Sequence, residues 1–223
     1  MPDATCSTVL FDIDGTLVDT NYLHVDAWSR AFAEAGHPVP EWRIHRSIGM
    51  DSAKLLESLL GDDAERLEDE VKDRHREHYA RDRERMRRLD GARELLRELA
   101  HRGFQVVLAT SAPPEEFAMI TAVLDADPDV TTVTTSEDVE QAKPAPDVVQ
   151  VALERAGVDA ADAVMVGDAV WDVESAKTAG VRCIGVLSGG FGDGELRSAG
   201  AVAVYDDVAH LLRAIDASPL YEY

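Results

Sequence analysis

The sequence predicts an α/β fold in which a doubly wound parallel sheet carries an inserted, all-helical domain. Three observations lead there. From about residue 89 onward, short apolar runs alternate with helical stretches, as in strands joined by helical crossovers. The block 20–88 is helical throughout and lies between two strands. The opening apolar run, Val9 to Phe11, ends in carboxylates at alternate positions, Asp12 and Asp14. Open sheets of this class bind ligands where their strands end. The expected division is a sheet domain of residues 1–19 and 89–223, and a helical domain of residues 20–88.

Taken in order, Val9–Phe11 reads as a buried strand. Residues 21–35 place Leu23, Ala27, Trp28, Ala31 and Phe32 on one helical stripe, with Thr20 or Asn21 as N-cap and Gly36 beyond the end. Pro38 and Pro40 break the chain. Residues 51–60 give a short helix with four leucines on one side. A charged helix over about 63–87 follows, acidic at its start and arginine-rich at its end, an order that complements the helix dipole. A solvated face accounts for those arginines.

In the second part, helices are predicted over 91–102, 114–124, 146–156, 172–179 and 207–216. Strands are predicted over 105–110, 131–135, 163–166, 181–187 and 201–205. Ser188–Gly194 lacks the Gly-Lys-Ser/Thr ending of a phosphate P-loop and reads as a flexible loop near the mouth of a site.

Composition narrows the function. The 223 residues are 45% hydrophobic and 29% charged, which suits a globular chain. Lys plus Arg number 22 against 43 Asp plus Glu, a formal net charge of −21. Such a field disfavours nucleic acid and anionic membranes. A phosphorylated substrate would need local positive charge. Cys6 and Cys183 form neither a metal spacing nor a disulfide framework, and free buried thiols are expected. With no secretory signal and no long apolar run, a cytoplasmic location is expected.

Four positions carry chemistry. Period-two geometry puts Asp12 and Asp14 on one side at a strand's carboxyl end. Buried carboxylates there need a cation or proton traffic, although Asp14-Gly15 could also be a hairpin turn. Thr110 and Ser111 end the apolar strand run Val106–Ala109, where hydroxyls and free backbone N–H groups could hold phosphate oxygens or merely form a turn. Lys143, in Ala-Lys-Pro-Ala-Pro-Asp147, precedes a proline-started helix and could project an ammonium toward Asp12, or lie exposed in a loop. Gly167-Asp168-Ala-Val-Trp-Asp172 follows another buried strand. Its acids suit a hard divalent cation, Mg²⁺ above all, while Asp172 could equally cap a helix.

Asp12-x-Asp14-Gly-Thr after a strand, the strand-ending Thr110, Lys143-Pro-x-Pro-Asp and Gly-Asp168-x-x-x-Asp172 resemble, in order, the four motifs of the haloacid dehalogenase superfamily. The resemblance runs from Val9 to about Leu212. It implies a Rossmann-like core with Asp12 as nucleophile and Asp14 as general acid/base. It further implies Thr110, Ser111 and Lys143 at a phosphate, and Mg²⁺ held by Asp12, Asp14 and Asp168, with Asp172 direct or through water. Residues 20–88 correspond to the family's helical cap of the first type. Within it, His45–Met50 looks like the loop that reaches the substrate, and His24, Arg46 and Gly49 are the candidate substrate residues.

An acid at position 14 separates the chain from the superfamily's dehalogenases and pumping ATPases. The expected activity is Mg²⁺-dependent hydrolysis of small phosphate monoesters, of the phosphoglycolate or sugar-phosphate kind, by a monomer or weak homodimer. The alternatives are a phosphosugar mutase of the β-phosphoglucomutase type, or a catalytically idle regulatory protein on the same fold.

Overall fold

The computed structural model describes residues 6–110, 112–125, 129–134, 143 and 145–221. The chain divides into two compact units, one of Met1–Asp19 with Arg88–Tyr223 and one of Thr20–Arg87.

The first unit is built on a sheet of six parallel strands, β1 (Thr8–Phe11), β4 (Gln105–Ala109), β5 (Thr132–Thr134), β6 (Ala163–Gly167), β7 (Arg182–Val186) and β8 (Ala203–Tyr205), in the order β5-β4-β1-β6-β7-β8. Two-residue strands, β2 (Val18–Asp19) and β3 (Arg87–Arg88), mark where the chain leaves this unit and returns to it. Alternation along the central strands sorts their side chains onto two apolar layers. Val9, Phe11, Val106, Leu108, Val164 and Val166 join one layer, with leucines of α5 (Ala92–His101), Ile120 and Leu124 of α6 (Pro114–Leu124), and Val208 and Leu211 of α10 (Val208–Arg213). Leu10, Val107, Ala109 and Met165 join the other, with α7 (Asp147–Ala156), α8 (Val170–Thr178) and α9 (Asp193–Ala199). The sheet is therefore doubly wound, as its apolar runs predict.

The strand order creates a switch point. From β1 the chain moves outward through β4 and β5, then crosses back to β6, so the crossovers diverge on either side of β1. Phe11 pairs in register with Leu108 on one side and Val166 on the other. The carboxyl ends of β1, β4 and β6 consequently stand level, at the kind of switch point where open sheets bind ligands. Where the chain leaves and rejoins this unit, the Leu89 N–H donates to the Leu17 carbonyl at 3.0 Å.

The second unit holds α1 (Asn21–Glu34), α2 (Glu41–Ser47), α3 (Ser52–Leu60) and α4 (Ala64–Arg81). Their apolar faces meet in one core that includes Trp28, Phe32, Ile44, Leu56, Leu59 and Val71. Asp51 caps α3 by accepting the Ala53 and Lys54 N–H groups at 2.9 and 3.3 Å. On α4 the charged residues pair along exposed turns, Lys72 with Glu68 and Arg74 with Glu70.

Three sequence readings need correction here. The charged helix ends at Arg81 instead of 87, because Asp82 closes it, a short turn Arg83–Arg85 follows, and Met86 buries its side chain. His45, Arg46 and Ser47 lie on α2, not in a loop. Glu41 in its first turn and the His45–Arg46 pair in its last complement the dipole, and Ile44 and Ser47 anchor it. The stretch read as a flexible loop is structured, with a tight turn over Leu187–Gly189 and α9 starting at Asp193. Cys6 and Cys183 are free and buried as expected, and no helix among the described residues is long and apolar enough to cross a membrane.

Candidate active site

Asp12 is the first residue after β1, and its N–H donates to the Val166 carbonyl of β6 at 3.0 Å. That bond continues the sheet by one residue and fixes the buried carboxylate. The chain then turns sharply, with the N–H groups of Thr16, Leu17 and Val18 all directed at the Ile13 carbonyl and Gly15 at φ 74°. A left-handed residue is needed at that corner, and glycine adopts it without strain. Asp14, on the same turn, is half-buried.

Lys143 crosses to this point from the far side of the sequence. Its ammonium pairs with Asp12 Oδ1 and lies 2.7 Å from Asp172 Oδ1. The ambiguity between an exposed and an inward-facing lysine is thus resolved, since the side chain is only 2% exposed. Asp172 sits in the first turn of α8, where its Oδ2 accepts the Ala169 N–H at 3.0 Å. It caps the helix and holds the lysine at once, one oxygen for each task. Gly167 makes this possible, because a Cβ at that position would fall 2.5 Å from the Asp172 Cβ.

Asp168 follows β6 and is buried; its Oδ1 accepts the Thr16 hydroxyl at 3.0 Å. Asp12, Asp168 and Asp172 each offer an oxygen within 4.8 Å of the others. Burial drives the Lys143 ammonium down, but Asp12 and Asp172 outweigh it and hold its pKa above the ordinary lysine value. The Asp12 carboxyl is pushed well up, by burial first, against the pull of Lys143 and with Asp172, Asp168 and Asp14 adding like charge. With the lysine charged, three carboxylates against one ammonium leave a formal charge of −2 in a space removed from water. This donor set fits a hard divalent cation: oxygen ligands only, preorganised, and lacking two positive charges.

The other candidates are placed as follows. Thr110 directly follows β4, which lies beside β1, and its Oγ1 accepts the Ala112 N–H at 3.0 Å, leaving its hydroxyl hydrogen to donate elsewhere. Ser111 lies outside the described residues. His24, Arg46 and Gly49 belong to the second unit. His24 stacks on Tyr79 with ring centroids 4.0 Å apart, and its Nδ1 lies 3.1 Å from Nε2 of His75. His75 in turn stacks on Trp28 at 3.9 Å. Arg46 is half-buried on α2, and Gly49 has φ 90°. The structure adds three residues that sequence reading left without a role, namely Thr16, Ser188 and Gly189. Thr16 stood in the Asp-Gly-Thr run, and the Ser-Gly-Gly directly after β7 was a visible signal for the other two.

Comparison with known proteins gives a consistent result. Residues 9–186 match the family described as haloacid dehalogenase-like hydrolase. A phosphoglycolate phosphatase of Rhodospirillum rubrum is 34% identical over 91% of this chain and 88% of its own. Pyrophosphatase PpaX of Bacillus velezensis is 29% identical over 83% and 85%. The crystal structure of a hydrolase from Pseudomonas syringae superposes with a TM-score of 0.87 at 33% identity, covering 95% of this chain and 98% of that one.

Proposed function

The chain is a member of the haloacid dehalogenase-like hydrolases, and from that membership we propose that it is a Mg²⁺-dependent phosphatase of small phosphate monoesters that works through an aspartyl-phosphate. The observation that carries this reading is the buried group of Asp12, Lys143 and Asp172 beside Asp168, at the switch point of the sheet.

Asp12 is the nucleophile. Its carboxylate oxygen forms a bond to phosphorus as the ester oxygen departs, and Asp14 gives that leaving alkoxide a proton. Asp14 then takes a proton from water, whose oxygen attacks phosphorus and releases the Asp12 carboxylate. The half-buried position of Asp14 suits a group that must exchange protons, and the burial of Asp12 suits one that must not. Lys143, pinned between two carboxylates, is a fixed positive charge for the phosphoryl oxygens, which a chain of net charge −21 otherwise repels. Mg²⁺ bound by Asp12, Asp168 and the Asp14 backbone carbonyl, with Asp172 behind, would spread the phosphoryl charge in the transition state. Thr110 and Ser111 are assigned to the phosphate oxygens. Residues 20–88 are assigned the family's cap role of choosing the substrate, with His24, Arg46 and Gly49 as its candidate contacts.

The relatives named as phosphoglycolate phosphatase and pyrophosphatase support phosphoryl transfer to water. The test is phosphate release from a panel of phosphoglycolate, pyrophosphate and sugar phosphates with Mg²⁺. Release from at least one compound, lost in Asp12→Asn, is expected; a panel with no turnover would overturn the reading.

A further inference from the structure

The turn Leu187–Gly189 follows β7, which pairs in parallel with β6, so it emerges beside Asp168 at the same edge of the sheet. Two of its residues meet the catalytic loops. The Ser188 hydroxyl donates to the Gly15 carbonyl at 2.6 Å, gripping the corner directly after Asp14. Gly189 is buried against the Asp168 side chain so closely that a Cβ would overlap Oδ2, with Asp168 Cβ only 2.7 Å away. No side chain of any size has room there. Asp168 is therefore bounded on both sides, with Oδ1 taking the Thr16 hydroxyl and Oδ2 facing the Gly189 backbone. Gly15 and Thr16 are consecutive. One bracket thus ties the loop that carries Asp14 to the carboxylate of Asp168.

We propose that Ser188 and Gly189 are positioning residues for the reaction, Ser188 aiming Asp14 through the Gly15 carbonyl and Gly189 setting the orientation of Asp168. The proposal rests on the phosphatase reading above. A loop that merely covered the site would need neither a hydroxyl at 188 nor a missing side chain at 189. General acids are sensitive to aim, and misplacement by about 1 Å can cost on the order of 10²-fold in rate. Groups that orient a metal ligand typically affect metal affinity by roughly 10–100-fold.

The test uses Ser188→Ala, Ser188→Thr and Gly189→Ala in the full chain. Ser188→Ala should lower kcat by about tenfold or more with KM nearly unchanged, the split expected for an interaction used in the transition state. Ser188→Thr, which keeps the hydroxyl, should recover most of that loss. Gly189→Ala should weaken Mg²⁺ binding by roughly tenfold or more, read without turnover as the rise in Tm on titrating Mg²⁺. Wild-type kcat in Ser188→Ala, or an unchanged Mg²⁺ titration in a folded Gly189→Ala, would overturn the proposal. Should Gly189→Ala not fold, the Ser188 pair decides. If the wild type releases no phosphate from any compound, the phosphatase reading fails separately, and the Mg²⁺ titration still judges the bracket.

Discussion

The Lys143 ammonium lies 2.7 Å from Asp172 Oδ1, and neither side chain is more than 2% exposed. A buried pair of this kind contributes little over a hydrophobic pair, but removing one partner strands the other. Lys143 also offsets Asp12, so its loss strands two carboxylates at once.

Lys143→Met should therefore destabilise the protein by about 3–5 kcal/mol in EDTA, and by less in Mg²⁺. Urea denaturation with and without the metal measures both values. A loss below about 1 kcal/mol in EDTA would show that the lysine is not the electrostatic partner described.

Asp12→Asn should abolish phosphate release while the protein stays folded. It removes the proposed nucleophile together with one of the like charges crowding the site, so stability in EDTA should hold or rise. Retention of more than about a hundredth of wild-type turnover would remove Asp12 from the nucleophile's role, since acid–base assistance alone accounts for about 10²–10⁴-fold.

Metal replacement separates Mg²⁺ from a generic cation effect. Ca²⁺ takes more oxygen ligands at longer bonds, about 2.3–2.6 Å, and should occupy both Asp12 oxygens and inhibit. Equal rates in Mg²⁺, Ca²⁺ and EDTA would dismiss the metal's part in the reaction.

The helical unit should carry its own pH dependence. Burial holds the His75 imidazole well below its ordinary pKa, aided by His24, Arg76 and His78. Trp28 and Tyr79 stack beside it. A histidine depressed in the folded state stays neutral while the unfolded chain takes up a proton near pH 6.5. Stability is thus complete above that pH and falls below it, by up to about 1.4 kcal/mol per pH unit. Urea midpoints at pH 7.5 and 5.5 should differ accordingly, and His75→Phe should narrow the gap. A gap that His75→Phe leaves intact would place the titration elsewhere.

Water should be the acceptor of the phosphoryl group. A mutase must shield its aspartyl-phosphate and grip a second phosphate with Arg or Lys, and in the stretch 45–54 the candidates are Arg46 and Lys54. Incubation with β-glucose 1-phosphate, following phosphate and glucose 6-phosphate together, checks this. Fast glucose 6-phosphate formation stimulated by a glucose bisphosphate, with little free phosphate, would reverse the assignment.

The sheet was legible because each central strand carries at least three consecutive apolar residues, which admits few other readings. α2 was not, since seven residues with only Ile44 and Ser47 buried leave almost no periodic signal. The overrun of α4 came from arginines that continue the charge pattern past Asp82, where the backbone has already turned. In the site, the strand ends put Asp12, Asp14 and Asp168 forward as candidates, whereas Lys143 rests on the resemblance of Lys-Pro-x-Pro-Asp to the family's motif, since a lysine before a proline reads on its own as an exposed loop residue. The contacts of Ser188 with Gly15 and of Gly189 with Asp168 were not legible, because they exist only once β7 has docked on β6. No local pattern encodes a partner so distant in sequence.

The hydrogen bond from Leu89 to Leu17 has a consequence for how the chain can change. It holds the points of departure and return side by side within the sheet unit. Everything from Thr20 to Arg87 is thus an excursion whose ends already meet. Closing a longer or shorter excursion alters the chain entropy only logarithmically, about 0.6 kcal/mol per doubling of length. Helices can be lengthened, traded or rewritten there while the strand register beneath Asp12 and Asp168 stays as it is. Innovation in this architecture has a place to occur that leaves its chemistry undisturbed.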